Sequence, residues 1–538
     1  MNKMNNKFLW MFCALLAWSC TKNDYPPFLG EDNVYGSLDG QIGALNCMYR
    51  ALIEFDGYGS EMQNINLHSG LFYSRRDIDR QTIVGLNPPS NNSNIENAWK
   101  NTFKTLNRAN DIIFHLNQRY DFEEEVHEET RNVLGQAYFV RAFTYFRAMQ
   151  YWGKLPLRTA PTTEATIHQP RSSKSEIMAL ILEDLKLAKG LIRGEDQTVG
   201  YPQKYAANFL LAKVYIYLGS CQASNDPILA IDGYTNDGEV NYWNLAYEEA
   251  QQVIGHYSLM SNFHDLWNAE TGNNSVESIW ELQINTTASG KHFQWTYTPQ
   301  NFTVGFNQSG RIICNPEVVD QIQAESPEDP RLSATFLTRY TGFKRQDGIV
   351  IPNPFETKCY PEANKRSNVN SGFTLLYKMM ETNQQSTTIT SNRNFVIYRY
   401  ADLLLMMAEI ENERGNAGEA VGYINQLLAR ARQSGETSSF PEDWGVLPQE
   451  EMREKIFIQR RVELLAEGQD WQDSRRRGYE VFKRTVIEPH NDFATGEKGN
   501  PSMDIILPDN PKAMLFPIPL IEINSNHAIN AADQNAGY

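Results

Sequence analysis

The run His292-Phe293-Gln294-Trp295-Thr296-Tyr297, continued by Phe302 and Phe306, is the densest group of rings in this chain and lies in a stretch rich in Asn and Gln. Flat rings beside planar amides suit a pyranose, whose apolar faces stack on aromatics and whose hydroxyl edge takes hydrogen bonds from amide, carboxylate or guanidinium groups. Alternation would put Phe293, Trp295 and Tyr297 on one side of an extended segment. The same pattern fits a half-buried strand whose rings face a core. A second candidate is Phe72-Tyr73-Ser74-Arg75-Arg76-Asp77 with Asn91 and Asn92 downstream. Tyr73, Arg75 and Asn92 are its ligand candidates, and the plainer reading is a solvated turn with a local Arg–Asp pair. Trp99, Trp152 and Trp471 fall in helical stretches and are expected in the core.

Catalytic chemistry has little footing. HExxH, Gly-x-Ser-x-Gly and a phosphate-binding glycine loop are all missing, and acidic pairs such as Glu123 to Glu125 sit in charged helical surface. Two carboxylates from distant segments would suffice for glycoside hydrolysis, yet acidic pairs arise by chance in a chain this acidic. No catalytic residue, metal site or cofactor is expected. The loop Asp232 to Glu239 holds oxygen donors, but not in EF-hand order.

The start of the chain reads as a targeting segment: basic Lys3 and Lys7, an apolar run from Phe8 to Ala17, then Ser19-Cys20. Leu15-Leu16-Ala17-Trp18-Ser19-Cys20 resembles a bacterial lipobox, in which the Cys sulfur accepts diacylglycerol before cleavage, although Ala17 and Trp18 depart from its usual residues. The expected division is a signal peptide over 1–19, lipidated Cys20 with a polar tether over 20–36, and one body over 37–538. A helix on the apolar run would be too short to span a bilayer, and no later stretch is apolar enough, so the lipid would be the membrane anchor. Removing residues 1–19 takes the formal charge from −16 to −18. So acidic a chain does not bind nucleic acid, which needs clustered Lys and Arg. Cys47, Cys221, Cys314 and Cys359 remain, widely spaced and without a CxxC pair, so their disulfide state is open.

These candidates need a scaffold, and its elements are legible. Apolar spacing of three and four predicts helices over 94–116, 126–152, 175–191, 203–218, 242–254 and 397–432. Two neighbouring pairs share a finer pattern. Ala212 and Gly219 precede Ala246, Ala250 and Val253, and Ala408 and Gly415 precede Ala420, Ile424 and Leu427. Small residues there let helices approach closely, and each Gly is expected to end its first helix. The spacing resembles that of tetratricopeptide repeats. A stretch near 56–93 reads as loop, and one near 267–395 as loops with short strands, both inserted into this helical body, where functional residues tend to sit.

Several segments together resemble the SusD/RagB family. Trp99, Phe103 and Arg108-Ala109-Asn110 look like its early helix; Ala137-Tyr138, Arg141-Ala142-Phe143, Tyr145-Phe146 and Tyr151-Trp152-Gly153 look like its most recognisable helix and turn. Tyr398-Arg399-Tyr400-Ala401-Asp402 with Ala408-Glu409, and the closing Phe516-Pro517-Ile518-Pro519 through Gly537-Tyr538, are similar to its later elements. Gln459-Arg460-Arg461-Val462-Glu463-Leu464 resembles the family's Glu-Arg-Arg-x-Glu-Leu with Gln459 in place of Glu, and reads bottom-up as a helix whose buried charges must be paired. The resemblance implies a mainly α fold of four tetratricopeptide-like helix pairs with irregular insertions. It also implies an outer-membrane lipoprotein facing the cell exterior that binds an oligosaccharide for import through a SusC-like TonB-dependent barrel. Peptide capture, as in the RagB branch, and a structural or adhesive role are the alternatives.

Overall fold

Amphipathic spacing produces the predicted helices, and packing decides how far each one runs. The computed structural model describes residues 30–54, 64, 66–75, 77–286, 294–363, 371–435, 439–500 and 503–538. The elements that position the site are, in chain order, α1 (Leu38–Ile53), β1 (Phe72–Ser74), α2 (Ser93–Arg119), α3 (Glu128–Trp152), α4 (Lys174–Leu191), α5 (Lys204–Ser224), α6 (Tyr242–Gln251), β2 (Ser278–Leu282), the single turn α7 (Gln294–Tyr297), β3 (Ile312–Cys314), β4 (Phe395–Arg399), α8 (Tyr400–Glu413), α9 (Ala417–Gln433), α10 (Gln449–Leu464) and α11 (Asp470–Arg475). The fold is mainly helical, consistent with a tetratricopeptide-like superhelix.

Consecutive helices pack on one another: α2 on α3, α3 on α4, α4 on α5, α5 on α6, and α8 on α9. Helix α3 is the centre, buried on every side from Asn132 to Trp152. A helix buried on every side belongs in the interior, and its buried Arg141 is met by both oxygens of Asp184 at 2.7 Å. Helix α4 starts at a capping box, with Ser173 and Glu176 each satisfying the other's backbone N–H. Trp99, Trp152 and Trp471 are buried, as expected.

Two expectations from the repeat spacing part company. Gly415 does close its helix, at φ +83°. Gly219 does not: α5 continues to Ser224 and ends at Asn225, which is left-handed. Gly219 instead makes room for the Trp243 indole, which a Cβ there would meet at 2.9 Å. A second correction falls at 397–399, expected as helix and found in strand β4, paired antiparallel with β2. The described part of 56–93 is also more ordered than a loop, since it contains β1 and a helix over Ile78–Val84. Cys47, Cys221, Cys314 and Cys359 are all free thiols.

The charges of α10 are buried and paired. Glu463 accepts from Arg331 at 2.7 Å, from Arg399 at 2.6 Å and from Arg430. Arg399 also reaches Glu277 and Glu467, each at 2.7 Å. Arg460 bridges Asp402 and Asp473. This lattice ties β4 and α8–α11 to the insertion through Arg331 and Glu277.

Candidate functional site

Strand β1 pairs antiparallel with β3, placing Tyr73 opposite Ile313 and Ser74 opposite Ile312. The ladder runs one step further, because the Arg75 N–H donates to the Arg311 carbonyl at 2.7 Å. Arg311 in turn donates its N–H to the Thr296 carbonyl at 2.7 Å, and Ser309 donates to the Trp295 carbonyl at 2.9 Å. The turn α7 therefore hangs on the end of the β1–β3 pair. Two candidate segments far apart in sequence meet here.

Trp295 and Arg75 are half-buried. The Arg311 guanidinium stands 5.4 Å from the Trp295 ring centroid, within cation–π range, while the indole N–H donates to the Asn307 carbonyl. Next in the loop, Phe306 is half-buried with the Arg345 guanidinium 5.1 Å from its centroid. Tyr340 donates its hydroxyl to Asn301 at 2.9 Å and packs edge-on against Phe302. Burial pushes the Tyr340 phenol up to about 12, and the Arg75 charge is among the groups it feels. The surface thus combines indole and phenyl rings with guanidinium donors, which suits stacking and hydrogen bonding to hydroxyls.

Two candidates do not belong to that surface. Tyr297 is fully buried, and burial raises its phenol far above the usual range. An extended segment would align residues two apart, but a helical turn rotates them by roughly 200°, so Trp295 faces outward and Tyr297 inward. Asn92 is also buried and is the N-cap of α2. Its oxygen accepts from the N–H groups of Asn94 and Ile95, and its amide donates to the Asp79 carbonyl and to Thr82. No polar atom of its side chain is left for a ligand. Tyr73 forms the wall behind the surface, 9% exposed and stacked on Phe373 with centroids 4.6 Å apart. His292, Phe293, Arg76 and Cys20 lie outside the described residues.

The expected Arg–Asp pair exists with other partners. Asp77 caps the helix over Ile78–Val84, pairs with Arg80 at 2.9 Å and reaches Arg311 at 3.5 Å. Arg311, Arg345 and Tyr340 escaped the sequence reading, because no local pattern marks a lone basic or aromatic residue that becomes functional only through cross-strand pairing. A cavity of about 750 Å³ lined by Trp243, Glu413, Arg453, Arg477 and Tyr479 includes none of the candidates. Its cations pair with acids, Arg453 with Glu413 and Arg477 with Glu454.

Packed helices thus carry rings and guanidiniums on the irregular segments between them. A family model described as "SusD family" matches residues 232–538, and one described as "Starch-binding associating with outer membrane" matches residues 60–216. The chain belongs to the SusD family. It is 25% identical to SusD-like protein P2 of Formosa agariphila over the full length of both chains, and 26% identical to SusD-like protein P38 of the same organism over 73% of this chain and 75% of that one. A SusD homolog from Bacteroides thetaiotaomicron superposes with a TM-score of 0.76 at 20% identity, covering 94% of this chain and 98% of its own. Surface glycan-binding protein A from Bacteroides fluxus gives 0.69 at 18%, covering 93% and 100%, and a structure solved with xylogluco-oligosaccharide gives 0.65 at 18%, covering 91% and 98%. At such identities these structures establish the fold alone. Among the described residues no helix is long and apolar enough to cross a membrane.

Proposed function

We propose that this chain is a cell-surface glycan-binding lipoprotein. Lipid on Cys20 anchors it to the outer membrane with its body, 37–538, facing outward on the 20–36 tether. The Trp295–Arg311–Arg75 surface captures an oligosaccharide and delivers it to a SusC-like TonB-dependent barrel for import. The chain binds its ligand and cleaves no bond. The observation that carries this reading is a half-buried indole held against a guanidinium at the meeting of two distant segments. The descriptions of the matching family models agree with it, as do the glycan-related names of two fold neighbours.

The test is calorimetry on the chain from Thr21 onward, with xylogluco-oligosaccharides, malto-oligosaccharides and peptides side by side. Saturable oligosaccharide binding that weakens at least about tenfold in Trp295→Ala, with an unchanged melting temperature, is the expected result. Peptide binding with every sugar inert would move the ligand class to peptides. Oligosaccharide binding indifferent to Trp295→Ala would remove the site.

A further inference from the structure

A second cavity, of about 460 Å³, opens between the α4–α5 connection, the loop after α6 and strand β2. It shares no residue with the Trp295 surface. Its volume falls in the range of small-ligand sites. Strand alternation turns Ile279, Glu281 and Gln283 to one face, and sends Trp280 to the other, edge-on against Phe139 and Phe143 in the core.

The chemistry of the lining is specific. At the rim the amides of Asn274 and Gln283 bond each other reciprocally at 3.0 and 2.9 Å. Tyr201 and Tyr257 add phenol rings, the latter donating to Gln203 at 3.3 Å. The His256 ring lies flat on Tyr205 with centroids 3.6 Å apart, and its Nδ1 meets Glu195 at 2.9 Å. Among these described lining residues there is no Lys or Arg, so an anionic ligand would meet acidic groups without a compensating cation. Deep in the wall, Glu281 is 4% exposed. Its Oε1 accepts the Asn274 backbone N–H, while Oε2 is buried without a hydrogen bond. The Asn394 and Gln283 amides lie near enough to favour the charged carboxylate, but burial outweighs them and lifts Glu281 to about 7. A buried carboxyl that is half-protonated near neutrality is a weak attractor for a cation and a good partner for a hydroxyl.

We propose that this cavity is a second ligand site, for a neutral sugar of one or two rings, in which a hydroxyl bonds Glu281 Oε2 and the Asn274 and Gln283 amides exchange their mutual bonds for ring hydroxyls. Amide pairs beside phenol rings give such a ligand donors, acceptors and flat faces together. The site stands whether or not the Trp295 surface binds glycan.

The test uses the chain from Thr21 onward, with xylobiose, cellobiose and maltose as neutral probes, galacturonic acid as an anion and putrescine as a cation. Calorimetry and saturation-transfer NMR are run on the wild type, Trp295→Ala, and the double variant Asn274→Ala/Gln283→Ala. Both rim positions are exposed, but Asn274 is left-handed at φ +50°, where Ala is disfavoured, so binding is read well below the melting temperature of each variant; Val276→Trp, at an exposed rim position, blocks the entrance by bulk as an independent check. The expected result is a neutral-sugar signal that survives Trp295→Ala and weakens about tenfold in both rim variants. No neutral-sugar signal in Trp295→Ala, a residual signal indifferent to the rim variants, or preference for galacturonic acid or putrescine would each overturn the proposal. Binding abolished at the rim but untouched by Trp295→Ala would retain this site and sink the Trp295 reading.

Discussion

Glu463 and Glu281 are both carboxylates removed from water, in opposite settings. Burial alone would raise Glu463, but Arg430, Arg399 and Arg331 surround it and hold its carboxyl well below the usual range. Glu281 has amides near it and, among the described residues, no guanidinium or ammonium bonded to it, and burial lifts it to about 7. The first belongs to the joint between the helical body and the insertion, where each charge is answered and the lattice locks the elements together. The second lines a cavity, where the missing partner has to come from outside. Burial by itself does not single out a candidate functional acid; uncompensated burial beside open volume does.

Breaking the compensated side should have the largest effect. Glu463→Ala leaves Arg331, Arg399 and Arg430 crowded without their shared acceptor, and the expected loss is about 3–5 kcal/mol by urea unfolding. A loss under about 1 kcal/mol would mean that the lattice is not holding the joint.

The uncompensated side is sharpened by pH. The Glu281 carboxyl holds its proton up to about 7 when folded, against an ordinary value of 4.5. Between these values the folded chain binds more protons than the unfolded one. Its contribution is therefore full below the ordinary value, shrinks as pH rises, and levels off above about 7. Across that window the wild type should lose on the order of 3 kcal/mol relative to Glu281→Gln, which cannot ionise. Asp470 is pushed to a similar value by burial and titrates in both proteins, so the difference between them is the readout. Parallel stability curves would show that Glu281 ionises freely in the fold.

The smallest effect separates wall from surface at the first site. Asn92→Ala removes the α2 cap and should cost about 1 kcal/mol of stability while leaving oligosaccharide affinity unchanged. A fall in affinity larger than the fall in stability would return Asn92 to the ligand surface.

Much of the fold was legible because helices announce themselves through local periodicity, and the segments around Trp99, Arg141 and Asp402 carried the family resemblance. The strand over Phe395–Arg399 was not, because its helix-like apolar spacing runs straight into α8 and only pairing with β2 makes it extended. Gly219 misled for a related reason. Its spacing announced a close approach, but whether that approach ends a helix or seats an indole depends on Trp243. At the site, Trp295 and Arg75 were visible as residue types, and Tyr297 and Asn92 were equally visible and wrong. Which ring of an aromatic run faces water depends on whether the run is strand or turn.

Local pattern was enough for the helical class, the family resemblance and the need for paired charges in α10, since each follows from spacing within a few residues or from the cost of burying a charge. Tertiary structure alone decided that Arg311 lies against Trp295, that Glu463 is shared by three arginines, and that Glu281 lines a cavity without a cation among the described lining residues. Those facts depend on cross-strand register and on packing between segments from about sixteen to more than a hundred positions apart, which no local pattern encodes.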